Sequence, residues 1–266
     1  MYKLYRKSLI VIIILLFNST AIFGSTLETT IDQSQLVNGL ISVRYDSQRG
    51  TQTKVMISKD NTKYTYDAGI NNNFPLQFGD GTYTVSVLEN VKDNKYKVIE
   101  QKKVVYIADQ PNRVFLQSIQ MINWSSEIEA AKKAKELTQK AKNDHEKIAA
   151  IYQYIVQNVK YDTDKASQVK SGYIPSVDNT LKSLKGICYD YSALFAAMLR
   201  SLDIPAKLVM GHKSDISTYH AWNQIYLKDT KEWITIDTTY DAAFVKSELA
   251  YKMVKDSNGY TVEKEY

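Results

Sequence analysis

Residues 186–200 constrain the chain most. The run Gly186-Ile187-Cys188-Tyr189-Asp190-Tyr191-Ser192-Ala193-Leu194-Phe195-Ala196-Ala197-Met198-Leu199-Arg200 is apolar nearly all the way round. A helix of this kind has no solvent face and belongs in the centre of its domain. Asp203-Ile204-Pro205 ends it. Cys188 falls in its first turn, where unpaired backbone N–H groups and the helix dipole favour negative charge.

Cys188 is the only cysteine among 266 residues, accompanied by three histidines. It has no partner for an internal disulfide, and three scattered histidines cannot complete a metal site around it. A solitary thiol is either a packed core residue or a working nucleophile. The first residues make it more conspicuous. Lys3, Arg6 and Lys7 precede an apolar run over 9–17, and small residues follow at Ser19, Thr20, Ala21 and Gly24. This is the layout of an export signal over 1–24, after whose removal no stable membrane insertion is expected. The run is too short to cross a bilayer comfortably. Losing three cations and no acids lowers the formal charge from +5 to +2, which speaks against nucleic-acid binding.

Residues 25–108 read as a β-rich accessory domain. Short β-branched or alternating runs at 40–45, 54–57, 83–87, 97–99 and 104–107 are separated by Asn71-Asn72-Asn73, Gly79-Asp80-Gly81 and Asp93-Asn94. That spacing predicts a small antiparallel, sandwich-like module without a candidate catalytic cluster. The pattern changes near Asp109-Gln110-Pro111. Ser126-Glu127-Ile128-Glu129 has the form of a capping box opening a helix to about residue 142. Asp144 is placed to cap a second helix carrying Ile148, Ile151, Tyr152 and Ile155 at helical spacing. The lysines of the first helix read as a solvated face. Residues 160–187 show little periodicity and read as a long loop leading to Cys188.

After the central helix, 206–210 reads as a strand, and 220–227 and 232–237 as a hairpin across Lys228-Asp229-Thr230-Lys231. If Leu227 faces Glu232, then Trp222 faces Asp237 and His220 faces Thr239, all on one side of the sheet. His220 and Asp237 are then diagonal neighbours about 7–8 Å apart at the backbone, within side-chain reach. A one-residue slip would separate them. Together with Cys188 they supply what amide chemistry needs. A nucleophile attacks, an imidazole moves the proton, and a carboxylate fixes the imidazole tautomer. His145 reads as a surface or capping residue. His212 ranks below His220 for want of a clear carboxylate partner.

The blocks Gly186-Ile187-Cys188-Tyr189-Asp190-Tyr191, Tyr219-His220-Ala221-Trp222-Asn223 and Trp233-Ile234-Thr235-Ile236-Asp237-Thr238-Thr239 resemble, in order, the bacterial transglutaminase-like superfamily over roughly residues 115–245. The 146–159 helix followed by Lys160-Tyr161-Asp162 also looks like the family's upstream segment. Phe74-Pro75-Leu76 and Gly79-Asp80-Gly81-Thr82-Tyr83-Thr84-Val85 resemble a β-module accompanying such domains in secreted proteins of low-GC Gram-positive bacteria. The resemblance implies an α+β, papain-like catalytic domain over 109–266, with Cys188 as nucleophile, His220 as base and Asp237 as orienter. It implies an oxyanion donor upstream of the cysteine, for which Tyr161 is the candidate. Trp222, Trp233 and Tyr189 are candidates to line the cleft, with core packing the alternative for the tryptophans. No metal or other cofactor is expected, and the expected partner is a protein or peptide substrate, cell-wall peptides included. Transfer of the acyl group to an amine, transfer to water as in a peptidase or amidase, and a non-catalytic surface-binding module all stay open.

Overall fold

The computed structural model describes residues 30–45, 47, 50–69 and 72–266. The export signal expected over 1–24 lies outside them.

The N-terminal region is all β. Its strands are β1 (Thr30–Asp32), β2 (Leu40–Arg44), β3 (Thr53–Lys59), β4 (Thr62–Asp67), β5 (Asn73–Pro75), β6 (Gly81–Lys92) and β7 (Lys95–Tyr106). They form two antiparallel sheets, ordered β1-β2-β5 and β4-β3-β6-β7. Val55, Ile57, Val85 and Val87 from the second sheet share a core with Ile41, Val43 and Phe74 from the first. Each fully buried aliphatic side chain contributes about 1.5–3 kcal/mol by leaving water. Strand β4 lay outside the expected set. Its polar composition hides the period-2 signal, which is carried by Tyr64 and Tyr66 alone.

The remainder is α+β. Helices α1 (Glu129–Leu137) and α2 (Asp144–Asn158) precede a short strand, β8 (Lys160–Tyr161). Then come α3 (Thr163–Gln168), α4 (Val177–Ser183), β9 (Lys185–Gly186) and α5 (Cys188–Arg200). The final elements are β10 (Ala206–Lys213), β11 (Ile216–Leu227), β12 (Glu232–Ile236), α6 (Thr238–Lys246), β13 (Val254–Lys255) and β14 (Tyr260–Glu265). Helix α5 is central, as its composition requires: α1, α2, α4 and α6 pack around it, together with β10 and β11. Residues 190–200 are all buried. The sheet it faces is ordered β13-β12-β11-β10-β14.

Three local expectations fail. The predicted capping box does not cap α1, because Ser126 bonds to Glu127 instead. The Asp178 carboxylate, arriving from α4, accepts the Glu129 and Ala130 N–H groups at 3.2 and 3.0 Å. Residues 160–187 are not a structureless loop. They hold α3 and α4, and β8 pairs in parallel with β9 through Lys160↔Lys185 and Tyr161↔Gly186. Such short elements fall below the length at which periodicity can be read. At the start of α2 the cap is Asn143, accepting the Glu146 N–H at 2.9 Å, one residue before the expected Asp144.

The two regions share one core. Tyr266, 7% exposed, packs its ring against Tyr64 at 5.1 Å. The Glu265 N–H donates to the Tyr64 hydroxyl at 2.8 Å, and Gln120 bonds to the Asp67 backbone in both directions. Arg200, buried, donates to the backbone oxygens of Ala206, Gln117 and Tyr266. Burial pulls its guanidinium down to about 9.

Candidate active site

Cys188 opens α5 and is partly exposed. The turn before it is built around Asp190. This fully buried carboxylate accepts the Ile187 N–H at 2.8 Å, binds Lys165 Nζ at 2.7 Å, and accepts the Tyr173 hydroxyl. Burial draws Lys165 down, but Asp190 and Tyr173 together hold it above its ordinary value. Asp190 presses directly on Gly186, where an added Cβ would lie 2.6 Å from the Asp190 Cβ. Only glycine fits there. Asp190 therefore fixes both the strand and the helix that flank the thiol, a role sequence reasoning missed although its position in the first turn carried the signal.

His220 sits on β11 with 5% exposure, and Asp237 is fully buried. The hairpin has the expected register, Leu227↔Glu232 through Asn223↔Ile236. The expected strand runs one residue too far. Asp237 leaves the sheet and becomes the N-cap of α6, its Oδ1 accepting the Tyr240 N–H at 3.0 Å. The expected facing pairs Trp222–Asp237 and His220–Thr239 are therefore absent from the ladder, since Thr239 lies in α6. The contact that matters survives: His220 Nε2 meets Asp237 Oδ2 at 2.8 Å. The Cys188 side chain lies near enough to the imidazole to act on its basicity. Burial alone would lower the basicity of the ring. Donation to the Asp237 carboxylate, together with the neighbouring Cys188 side chain, outweighs it and holds His220 up at about 9.

Tyr161 lies on β8 and is 46% exposed. Burial first, then the neighbouring Cys188, push its hydroxyl up, placing the phenol in the electrostatic reach of the sulfur. Tyr189 is half-buried, edge-on to Tyr173 at 6.1 Å. Trp222 does not line an open cleft. It is fully buried, its ring 6.2 Å from that of His220 with an interplanar angle of 24°. It is a platform beneath the imidazole. Trp233 is half-buried against Phe115, Tyr226 and Lys207, so its ring contacts lie outside the Cys188–His220–Asp237 cluster. Asn223 is fully buried and donates to the carbonyls of Ser192 and Lys207, fastening β11 to α5.

His145 is a surface residue bonded to Asp229 at 2.8 Å. His212 does have a carboxylate partner, Glu263 at 3.2 Å, supplied by a strand the sequence reading did not anticipate. The pair is half-exposed, unlike the buried pair of His220 and Asp237. Among the described residues, no cluster of three or more His, Cys, Asp or Glu side chains is placed to hold a metal ion.

The family model of the transglutaminase-like superfamily matches residues 131–238, a span that holds Cys188, His220 and Asp237. The chain carries a transglutaminase-like domain. The superfamily includes cysteine proteases and transglutaminases. The chain is 27% identical to the UPF0252 protein MJ1282 of Methanocaldococcus jannaschii over 215 residues, which is 70% of this chain and 60% of that protein. It is 28% identical to mouse kyphoscoliosis peptidase over 120 residues, covering 41% of this chain and 18% of the peptidase. The periplasmic domain of TgpA from Pseudomonas aeruginosa aligns in structure with a TM-score of 0.42 and 14% identity, covering 74% of this chain and 92% of that one. The matched span holds the cysteine helix α5 and strands β10, β11 and β12 of the sheet it faces, while the N-terminal all-β region lies outside it.

Proposed function

We propose that the chain is an exported cysteine enzyme that attacks carboxamide or peptide carbonyls. The observation that carries this reading is His220, buried, bonded to the Asp237 carboxylate and neighboured by the Cys188 side chain. In the reaction, the Cys188 sulfur bonds to the carbonyl carbon and the imidazolium of His220 delivers its proton to the departing nitrogen. The C–N bond breaks, releasing ammonia from a carboxamide or an amine from a peptide, and a thioester remains. An incoming amine or water then gives its proton to His220 and attacks the thioester. The C–S bond breaks and the enzyme is restored. Asp237 holds the imidazole in the required tautomer. Tyr161, beside the sulfur, and the Cys188 backbone N–H serve the oxyanion.

Transfer to a lysine amine would cross-link proteins; transfer to water would make the enzyme a peptidase or amidase, acting on protein or cell-wall peptides. A glutamine-containing protein incubated with a labelled primary amine separates them. Incorporation of label marks a transferase, and ammonia or new carboxyl groups without incorporation mark a hydrolase. If neither appears while Cys188 alkylates rapidly, the substrate class is wrong. Alkylation as slow as that of an ordinary buried thiol would contradict the enzyme reading and favour a binding module.

A further inference from the structure

Asp237 Oδ2 has a second donor that no part of the Cys, His and Asp motif provides. Tyr260, on β14, gives its hydroxyl to Asp237 Oδ2 at 3.1 Å, the same oxygen that His220 Nε2 meets at 2.8 Å. The two donors also share a neighbour, because the Trp222 ring lies 5.0 Å from that of Tyr260 and 6.2 Å from that of His220. The position of Tyr260 is fixed from outside the site. Strand β14 pairs with β10 through Lys213↔Tyr260 and Gly211↔Val262. At Gly211 the strands approach so closely that an added Cβ would fall 2.0 Å from the Thr261 carbonyl oxygen. At its other end β14 is tied to the N-terminal β region by the Glu265 N–H to Tyr64 bond.

We propose that Tyr260 is a positioning residue of the thiol–imidazole–carboxylate system, sharing Asp237 Oδ2 with His220 and so setting how strongly the carboxylate holds the imidazolium. This rests on the cysteine-enzyme reading above. A hydroxyl donated to Oδ2 draws off part of the negative charge that would otherwise face the imidazole, and it fixes the rotation of the carboxylate. The charged or titratable groups around this unit are few. His220 is faced by Cys188 from α5 and Asp237 from the end of β12. Tyr260 is faced by Asp237, Asp241 and Tyr240, with Lys213 Nζ 5.5 Å from its ring centre. Asp241 is matched by Lys255 and by the Tyr152 hydroxyl. Burial and Asp237 hold the Tyr260 hydroxyl firmly protonated, so it acts as a donor throughout the working range.

The test is the rate of Cys188 carboxymethylation by iodoacetate across pH, using the full chain. Iodoacetate is an anion, so its rate falls when the His220 imidazolium loses its proton, giving a basic limb. Tyr260→Phe removes the donor and keeps the ring on Trp222. The limb then moves up by about half a pH unit or more, as the undivided carboxylate charge favours the imidazolium. Installing 3-fluorotyrosine at position 260 keeps the packing and strengthens the donor, so the limb moves down. A purely structural hydroxyl would move neither. If the unsubstituted chain shows a limb that His220→Ala abolishes, but both Tyr260 variants leave it in place, the assignment of Tyr260 is overturned and the cysteine-enzyme reading stands. If the unsubstituted chain shows no limb dependent on His220, the reading itself fails. Should Tyr260→Phe not fold, the downward shift with fluorotyrosine decides alone, and its absence overturns the proposal.

Discussion

Two buried carboxylates flank the reactive centre, and their surroundings differ in one respect. Asp190, in the first turn of α5, is neutralised by Lys165. Asp237, capping α6, has no lysine or arginine partner among the described residues; the cationic side chain paired with it is His220. Asp241, one turn further into α6, is again matched by a lysine, Lys255. A buried anion is costly unless paired. At 190 and 241 the pairing is permanent, so the charge serves architecture. At 237 it depends on a group that gains and loses its proton, which is what the proposed chemistry requires. The difference between a clamp and an orienter here lies in whether the partner cation titrates.

The comparison is open to attack by substitution. Asp237→Asn should lower the rate of Cys188 acylation by roughly 10²–10⁴-fold, since the imidazole loses both its tautomer and its counter-charge. Asp190→Asn should behave oppositely. It leaves Lys165 without its partner and costs about 3–5 kcal/mol in urea unfolding, while molecules that remain folded react with iodoacetate nearly as fast as the unsubstituted chain. If Asp190→Asn abolishes reactivity in folded protein, the division between the two carboxylates is wrong. Tyr161→Phe falls between them. An oxyanion donor is worth up to about 10²–10³-fold in turnover, with little effect on stability.

A pH effect follows from the raised His220. A group whose folded value lies above its unfolded 6.5 adds stability that is complete below about 6.5 and is lost as pH rises through about 9. Urea midpoints should therefore decline across that window in the unsubstituted chain and decline less in His220→Ala. An identical decline in both would show that the imidazolium is not held. The smallest effect concerns a carboxylate outside the site. Asp178→Ala should cost about 1 kcal/mol by uncapping α1, without touching reactivity.

Most of the cluster around the thiol was legible in the sequence because its determinants are local. The apolar run around Cys188 fixes a central helix, and the Leu227↔Glu232 turn sets a register that carries His220 toward Asp237. The end of the hairpin was misread because Asp237 reads equally as a strand residue and as a helix cap, and the capping choice wins. Trp222 stayed open between cleft and core because alternation assigns it a side of the sheet but not what covers that side; Tyr260 and His220 do, and the core alternative holds. Strand β14 left no usable trace. Thr261-Val262-Glu263-Lys264-Glu265 is polar on an exposed edge, and its pairing with β10 is a long-range event. Tyr260 and the Glu263 partner of His212 were therefore invisible until the strand was placed.

Activation of Cys188 by His220 is read out by a single rate. Iodoacetamide is neutral, so its reaction with Cys188 at pH 6.5 reports the thiol without attraction to charge. Labelling should be rapid and stoichiometric, and His220→Ala should slow it by roughly 10²-fold or more. Labelling no faster than that of a free thiol peptide, and unchanged in His220→Ala, would contradict it.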